Sequence, residues 1–339
     1  MGIVHFLNVK NGDCSVIQHA TGHVTVMDVF NASEENELLR GLDEALAKAD
    51  RIRGNFNQKH YPVNPITYLK RHEIVSVFRF ILTHPDVDHL GGFKAFCKTF
   101  PPTNFWDTAN REEKEFGGLS YGKEDWIFYK SLRDGNRESD PKRLVLFSGS
   151  RGQFYNRDES GAGGGDGLYV LAPTPELITS ANASGDFNDA SYVVLYRSAG
   201  GRVLFAGDSH DATWEYILEN HADDVHDVDL LIAPHHGRKS DRLYDFLDVV
   251  NPTLTLFGNS NSEHLAYNAW NYRKLHFITN NQANCIVIDT NVKPMDVYVT
   301  YARKSNPQTF FSQVHQAYYL GNIKMHSQLA ASRLLSAIG

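Results

Sequence analysis

The spacing of hydrophobic and polar positions changes several times along the chain, and each change marks an element. Over the first thirty residues, β-branched and apolar residues fall in short runs at 3–9, 15–18 and 24–28. Asn11-Gly12 and Thr21-Gly22 separate them, and such dipeptides between β-branched runs signal hairpins. The rhythm then lengthens. Leu38, Leu39, Leu42, Ala45 and Leu46 stand at helical spacing in an acidic segment, which predicts an amphipathic helix over 34–50. Residues 75–82 are apolar except for Ser76 and Arg79, as in a buried strand. Beyond Thr83, Leu90, Phe93, Cys97 and Phe100 share one face of a further predicted helix.

From 101 to 165 no period is sustained, and charge, Gly and Asn dominate. This stretch reads as an insertion or cover region. Its glycine-rich run at 161–167 lacks the GK[ST] of a phosphate loop and misses the GxGxxG spacing, so it reads as a flexible connection. Strands resume at 168–171, 192–196, 202–205, 228–232, 253–257 and 285–289. The tail, 309–338, carries apolar residues at helical spacing and is expected to form one or two helices. The expected division is a domain over 1–300 and a helical extension over 301–339.

Composition narrows the class. A chain of 339 residues with 42% hydrophobic and 22% charged residues has the profile of a soluble globular protein. No apolar run approaches the roughly 20 residues needed to cross a bilayer, and the N-terminus lacks the pattern of a signal peptide. The 3 cysteines are widely spaced with no CxxC pair, which fits a reducing compartment and argues against a thiolate metal site. A cytoplasmic location without membrane contact is expected. A net charge of -7 argues against bulk nucleic-acid binding, although a local basic patch is compatible with it.

The densest chemistry lies in Thr83-His84-Pro85-Asp86-Val87-Asp88-His89-Leu90-Gly91-Gly92. Two imidazoles and two carboxylates within six residues form a compact ligand cluster suited to divalent metals. In an extended loop, residues 84 and 86 point one way, while Asp88 and His89 fall where the chain turns and can face a second ion. The bland alternative is a solvated acidic loop whose aspartates cap a helix.

This pattern resembles the HxHxDH signature of the metallo-β-lactamase superfamily. It is closer still to the HPDxDH-x-GG branch found in the hydrolase domain of the bacterial competence protein that imports DNA. Other segments resemble the family's elements in order: Phe6 to Asp13, Val26-Met27-Asp28, Phe205-Ala206-Gly207-Asp208, Asp229 to Gly237 with its His235-His236 pair, and Asn259 to His264. The resemblance implies an α/β (α+β) fold, a four-layer αββα sandwich, here with an insertion and C-terminal helices. It implies a hydrolase with two divalent ions, Zn²⁺ or Mn²⁺. Asp208 would bridge them; His84, Asp86 and one of His235 and His236 would hold the first, and Asp88, His89 and His264 the second. Asp28 would support the ligands. The sequence departs from the family around His264, where Glu263 and Leu265 replace a Gly and a Pro. It also lacks the histidine that the broader superfamily places between the two halves. Asn188 and Asp189 stand nearby and are read as orienting ligands or substrate. His210 is a candidate proton donor, weighed against a supporting role.

The branch resemblance implies phosphodiester cleavage of single-stranded nucleic acid, with Arg238 and Lys239 as candidate phosphate contacts. Arg133, Arg137, Lys142, Arg143, Arg151 and Arg157 in the 101–165 region are further positives that could hold phosphate or lie on a plain solvated surface. The alternatives are a hydrolase of a small phosphoester, carboxylic ester or lactam, and a non-catalytic interaction protein that keeps the fold. A protein partner or a homo-oligomer is left open.

Overall fold

The computed structural model describes residues 1–33, 58–116, 122–135, 141–157, 160–161, 163–259, 264–301 and 311–328. The helix expected over 34–50 lies outside the described residues.

Two β-sheets face each other. The larger is built from β1 (Ile3–Phe6), β2 (Ser15–Gln18), β3 (Val24–Met27), β4 (Arg79–Ile81), β5 (Asn104–Trp106) and β6 (Lys142–Leu144). It is continued from β1 by β13 (Ile286–Asp289), β14 (Asp296–Val299), β16 (Ala317–Asn322) and β15 (Phe311–Ser312), in the order β15-β16-β14-β13-β1-β2-β3-β4-β5-β6. The smaller sheet contains β7 (Leu168–Ala172), β8 (Val193–Arg197), β9 (Arg202–Phe205), β10 (Leu230–Ile232), β11 (Leu254–Phe257) and β12 (Phe277–Thr279), ordered β12-β11-β10-β9-β8-β7. The Asn11-Gly12 and Thr21-Gly22 turns join antiparallel strands, as their chemistry predicts. From β3 to β6 and from β9 to β12 the strands run parallel.

Strand alternation sorts side chains into layers. Val4, Phe6, Ile81, Val203, Phe205, Leu230, Ile232, Leu254 and Leu256 point between the sheets and form the central core. On the outer face of the large sheet, Val16, Phe80 and Leu82 pack under Ile66, Phe93 and Phe96 from the helices Pro65–Arg71 and Phe93–Thr99. On the outer face of the small sheet, Leu204 and Leu231 pack under Trp214, Phe246 and Trp270. Helix, sheet, sheet, helix is the four-layer sandwich that the family resemblance implies. No helix among the described residues is long and apolar enough to cross a membrane.

Three expectations need correction. Only Arg79–Ile81 of the 75–82 run joins a sheet, and Val75 is 88% exposed. The parallel ladder with β3 is three residues long, so the earlier residues have no strand to pair with. Residues 101–165 are not merely a cover: they supply β5 and β6, and Phe105 and Trp106 are buried in the two cores flanking the large sheet. Finally, of the tail read as helical over 309–338, residues 311–328 place β15 and β16 in the large sheet before a helix at Ile323–Gln328, and 309–310 and 329–338 lie outside the described residues. The tail's Tyr318 and Tyr319 are residues that favour a half-buried strand surface.

Candidate metal centre

The carboxyl ends of four parallel strands converge on one spot. Asp28 follows β3, Thr83 to His89 follow β4, Asp208 follows β9, and His235 and His236 follow β10. Local backbone geometry aims them. Gly92 has φ +89, and a side chain there would run into the Ala32 carbonyl, so the 83–92 loop can close tightly only with glycine. His235 and His236 both adopt left-handed backbone, at φ 52° and 57°. Non-glycine residues in such conformations cost about 1–3 kcal/mol each and mark functional sites. The turn is pinned by the His235 N–H donating to the Gly207 carbonyl at 2.9 Å and the Gly258 N–H donating to the His236 carbonyl at 3.0 Å.

Outer partners fix how the rings face inward. Asp28 accepts from the Thr83 N–H (2.8 Å) and from the Thr83 hydroxyl (2.7 Å), and it lies 2.8 Å from His89 Nδ1. A carboxylate there accepts, so neutral His89 carries its proton on Nδ1 and leaves Nε2 as a lone pair. The Thr83 hydroxyl hydrogen is used on Asp28, so toward His84 Nδ1 at 3.2 Å this oxygen accepts, and His84 is set the same way. His236 Nδ1 lies 3.0 Å from Asp13 Oδ1, off the line of a good hydrogen bond but close enough for the carboxylate to favour the proton on that nitrogen.

The inward atoms then meet. His89 Nε2 is 3.4 Å from Asp208 Oδ1, His84 Nε2 is 3.7 Å from Asp208 Oδ2, and His236 Nε2 is 3.4 Å from Asp88 Oδ2. Three sets of side chains bring ligand atoms within 4.8 Å of one another: His84, His89 and Asp208; Asp88, His89 and His236; and Asp13, Asp208 and His236. Among the described residues, His84 Nε2, His89 Nε2, His236 Nε2 and Asp208 Oδ1 are buried with no hydrogen-bond partner. Each such atom costs about 1–3 kcal/mol, and their convergence fits a divalent cation.

The electrostatics agree. Burial would lower His236, but Asp13 and Asp208 outweigh it and push the imidazole up to about 10. Burial also works against His89, yet Asp208 and Asp28 hold it well above its ordinary value. Burial would raise Asp208, but His89, His236 and His84 keep it well below the usual carboxylate range. The carboxylates thus favour positive charge at His89 and His236, the charge a metal would supply on displacing their protons.

Other expected residues take different places. Asp86 Oδ2 lies 3.5 Å from His84 Nε2, while its Oδ1 meets Lys114 Nζ at 2.9 Å. His235 is partly exposed; its Nε2 is 3.7 Å from Asp208 Oδ2, and it belongs to none of the three sets. His264 is exposed and likewise outside them, although its carbonyl accepts from the Lys239 N–H. Asp189 caps the helix Asp211–Asn220, accepting from the His210 and Thr213 N–H groups. Asn188 sits in the adjoining turn, its N–H donating to Asp186. His210 Nε2 faces Asp241 at 3.3 Å. Arg238 donates to the Asn11 carbonyl and lies 3.9 Å from Asp88, and Lys239 is exposed. Arg143 is bound to buried Asp107, and Arg133 to Asp134 and Glu113, so those two are structural. Three residues at the site were not singled out by sequence reasoning. Thr83 adjoins the motif, Asp13 is visible only as part of the Asn-Gly-Asp turn, and Lys114 carries no local signal.

The family model of the metallo-beta-lactamase superfamily matches residues 7–212, more than half of the chain. The chain belongs to the metallo-beta-lactamase superfamily. No curated protein matches it. Among solved structures it is similar to Igni18, a metallo hydrolase from the archaeon Ignicoccus hospitalis, at 11% identity over 85% of this chain and 99% of that one, with TM-score 0.45. It is also similar to the metallo-beta-lactamase fold protein YhfI from Bacillus subtilis, at 9% identity over 82% and 96%, TM-score 0.43. A diphosphatase from the PhnP family is similar at 10% identity over 82% and 95%, TM-score 0.43. Membership of the metallo-beta-lactamase superfamily carries the expectation of divalent metal ions, which the orphaned nitrogens and carboxylate of this centre fit.

Proposed function

We propose that this protein is a binuclear metal-dependent hydrolase that cleaves a phosphodiester, with single-stranded nucleic acid as the substrate class. The observation that carries the hydrolase reading is the set of buried, partnerless atoms on His84, His89, His236 and Asp208. Bound divalent ions, Zn²⁺ or Mn²⁺, would polarise the phosphoryl group and lower the pKa of a shared water. The chain's residues do the rest. Asp208, at the centre of the cluster, would be shared between them; His84, with Asp86 beside it, would hold one ion, and Asp88, His89 and His236 the other. Asp28 and Thr83 hold the rings of His84 and His89 in the ligating tautomer.

An anionic substrate is supported by the cations around this acidic centre. Lys114 and Arg238 each face a carboxylate that sits beside the cluster. The narrower choice of a nucleic-acid strand rests on the resemblance of His84 to Gly92 to the HPDxDH branch. The test is metal analysis of the purified protein together with a panel of a generic phosphodiester, a carboxylic ester and a lactam. Close to two ions and metal-dependent turnover of the phosphodiester are expected. Turnover confined to the ester or lactam would replace the substrate, and protein that takes up no metal would overturn the reading.

A further inference from the structure

One histidine of the Pro234–Gly237 turn is set opposite to its neighbours. His235 Nδ1 lies 3.3 Å from Nη2 of Arg242, which also faces the Asp208 carbonyl at 3.4 Å. A guanidinium has no acceptor, so in this contact the imidazole nitrogen must accept. Neutral His235 therefore carries its proton on Nε2. His84, His89 and His236 have the reverse arrangement, with Nδ1 facing oxygen acceptors and Nε2 left as a lone pair. To accept from Arg242 on Nδ1 and also ligate a metal through Nε2, His235 would have to lose its last proton and become an imidazolate.

The placement of Arg242 favours this lock. It is 4% exposed, and its Nε and Nη1 are buried without a hydrogen-bond partner among the described residues. The loop carrying it is fastened by the Leu243 N–H donating to Asp211 at 2.9 Å and the Tyr244 hydroxyl donating to the Arg238 carbonyl at 3.0 Å. The His235 side chain is 26% exposed, whereas those of His84, His89 and His236 are fully buried, and its Nε2 lies 3.7 Å from Asp208 Oδ2, so the ring sits at the edge of the cluster and is reachable from solvent.

We propose that His235 is not a metal ligand but a neutral hydrogen-bond donor to a phosphoryl oxygen of the substrate, with Arg242 as the positioning residue that fixes its tautomer. The proposal rests on the phosphodiesterase reading above. A neutral imidazole donor polarises an oxygen that gains charge without transferring a proton, and it suits a site already crowded with cationic groups. It also divides the two adjacent histidines by role: His236 faces the ions and His235 the substrate.

The experiment joins three measurements on the full chain. Long-range ¹H–¹⁵N NMR of labelled protein, with His235 assigned by its loss in His235→Gln, should show the Nε2–H tautomer. Arg242→Met should release that preference, and Arg242→Lys, whose ammonium also only donates, should restore it. Metal content should stay at the wild-type value in His235→Gln and fall by about one ion in His236→Gln. With the metal complement intact, kcat of His235→Gln on a generic phosphodiester should drop about a hundredfold, with a much smaller change in KM. An Nδ1–H tautomer, loss of an ion from His235→Gln, or an unchanged kcat would each overturn the proposal. Wild-type protein that takes up no metal or cleaves no phosphodiester would instead refute the hydrolase reading, and the tautomer of His235 would still decide whether Arg242 sets it.

Discussion

Asp86 divides its two oxygens between His84 and Lys114, and it stands where the broader superfamily carries a histidine. Exchanging imidazole for carboxylate makes a site harder and shifts its preference from Zn²⁺ toward Mn²⁺ and Mg²⁺. Mn²⁺ should therefore support turnover at least as well as Zn²⁺, and Asp86→His should tilt the balance to zinc. Strictly zinc-dependent turnover of the wild type under metal reconstitution would contradict this. His84→Ala, Asp88→Ala and Asp208→Ala should each abolish nearly all activity while leaving circular dichroism unchanged, because the cores lie elsewhere. Wild-type rates in Asp208→Ala would remove it from the centre. What the sequence shows at this scale is local. The candidate ligands at 84–89 fall within six residues, and Asp208 and the histidine pair each follow an apolar run. Lys114 and Arg242 are invisible because only the tertiary fold brings them to Asp86 and His235, and nothing in their neighbours marks them. The choice between His235 and His236 could not be read from sequence either, since it turns on what each Nδ1 faces.

Strands of three or four residues set the limits of legibility at the scale of elements. The hairpins of β1 to β3 are readable because Asn-Gly and Thr-Gly punctuate them, whereas β5, β6 and β12 are too short to establish alternation against charged surroundings. Two buried histidines of the first hairpin give a measurable consequence. His5, on β1, bonds the Tyr68 hydroxyl and Gln18, and His19, just past β2, meets the Thr25 hydroxyl. Burial pushes each down to about 3. In the unfolded chain each titrates near 6.5, so between these values the unfolded state binds more protons and stability falls as pH falls. The stabilisation is complete above about 6.5 and is lost toward about 3, at up to roughly 1.4 kcal/mol per pH unit for each histidine. Urea midpoints measured from pH 7 to 4 should show this slope, and His5→Asn or His19→Asn should make it shallower. An unchanged slope in both variants would show that other groups control acid unfolding.

At the scale of the whole molecule, a net charge of -7 opposes any polyanion, so binding a strand would depend on a local patch. Arg238 and Lys239 leave the histidine turn toward the surface, and each phosphate contact to a single strand adds about 0.7 to the salt slope. Arg238→Ala/Lys239→Ala should weaken single-strand binding and flatten its salt dependence by about one unit, with cleavage of a small phosphodiester little changed. An unchanged slope in filter binding would favour a small substrate. The centre also has a mechanical side. Asp28, His84 and His89 hang from the ten-stranded sheet, whereas Asp208 and His236 hang from the six-stranded one. Ions seated among them would rivet the two halves of the sandwich together. Resistance to heat would then follow free metal concentration, by about 2.7 kcal/mol per site at a hundredfold excess over Kd. Chelation should lower Tm and open the 83–92 and 234–242 loops to protease, while an apo-protein melting with the holo-protein would mean that the rivet holds only one plate.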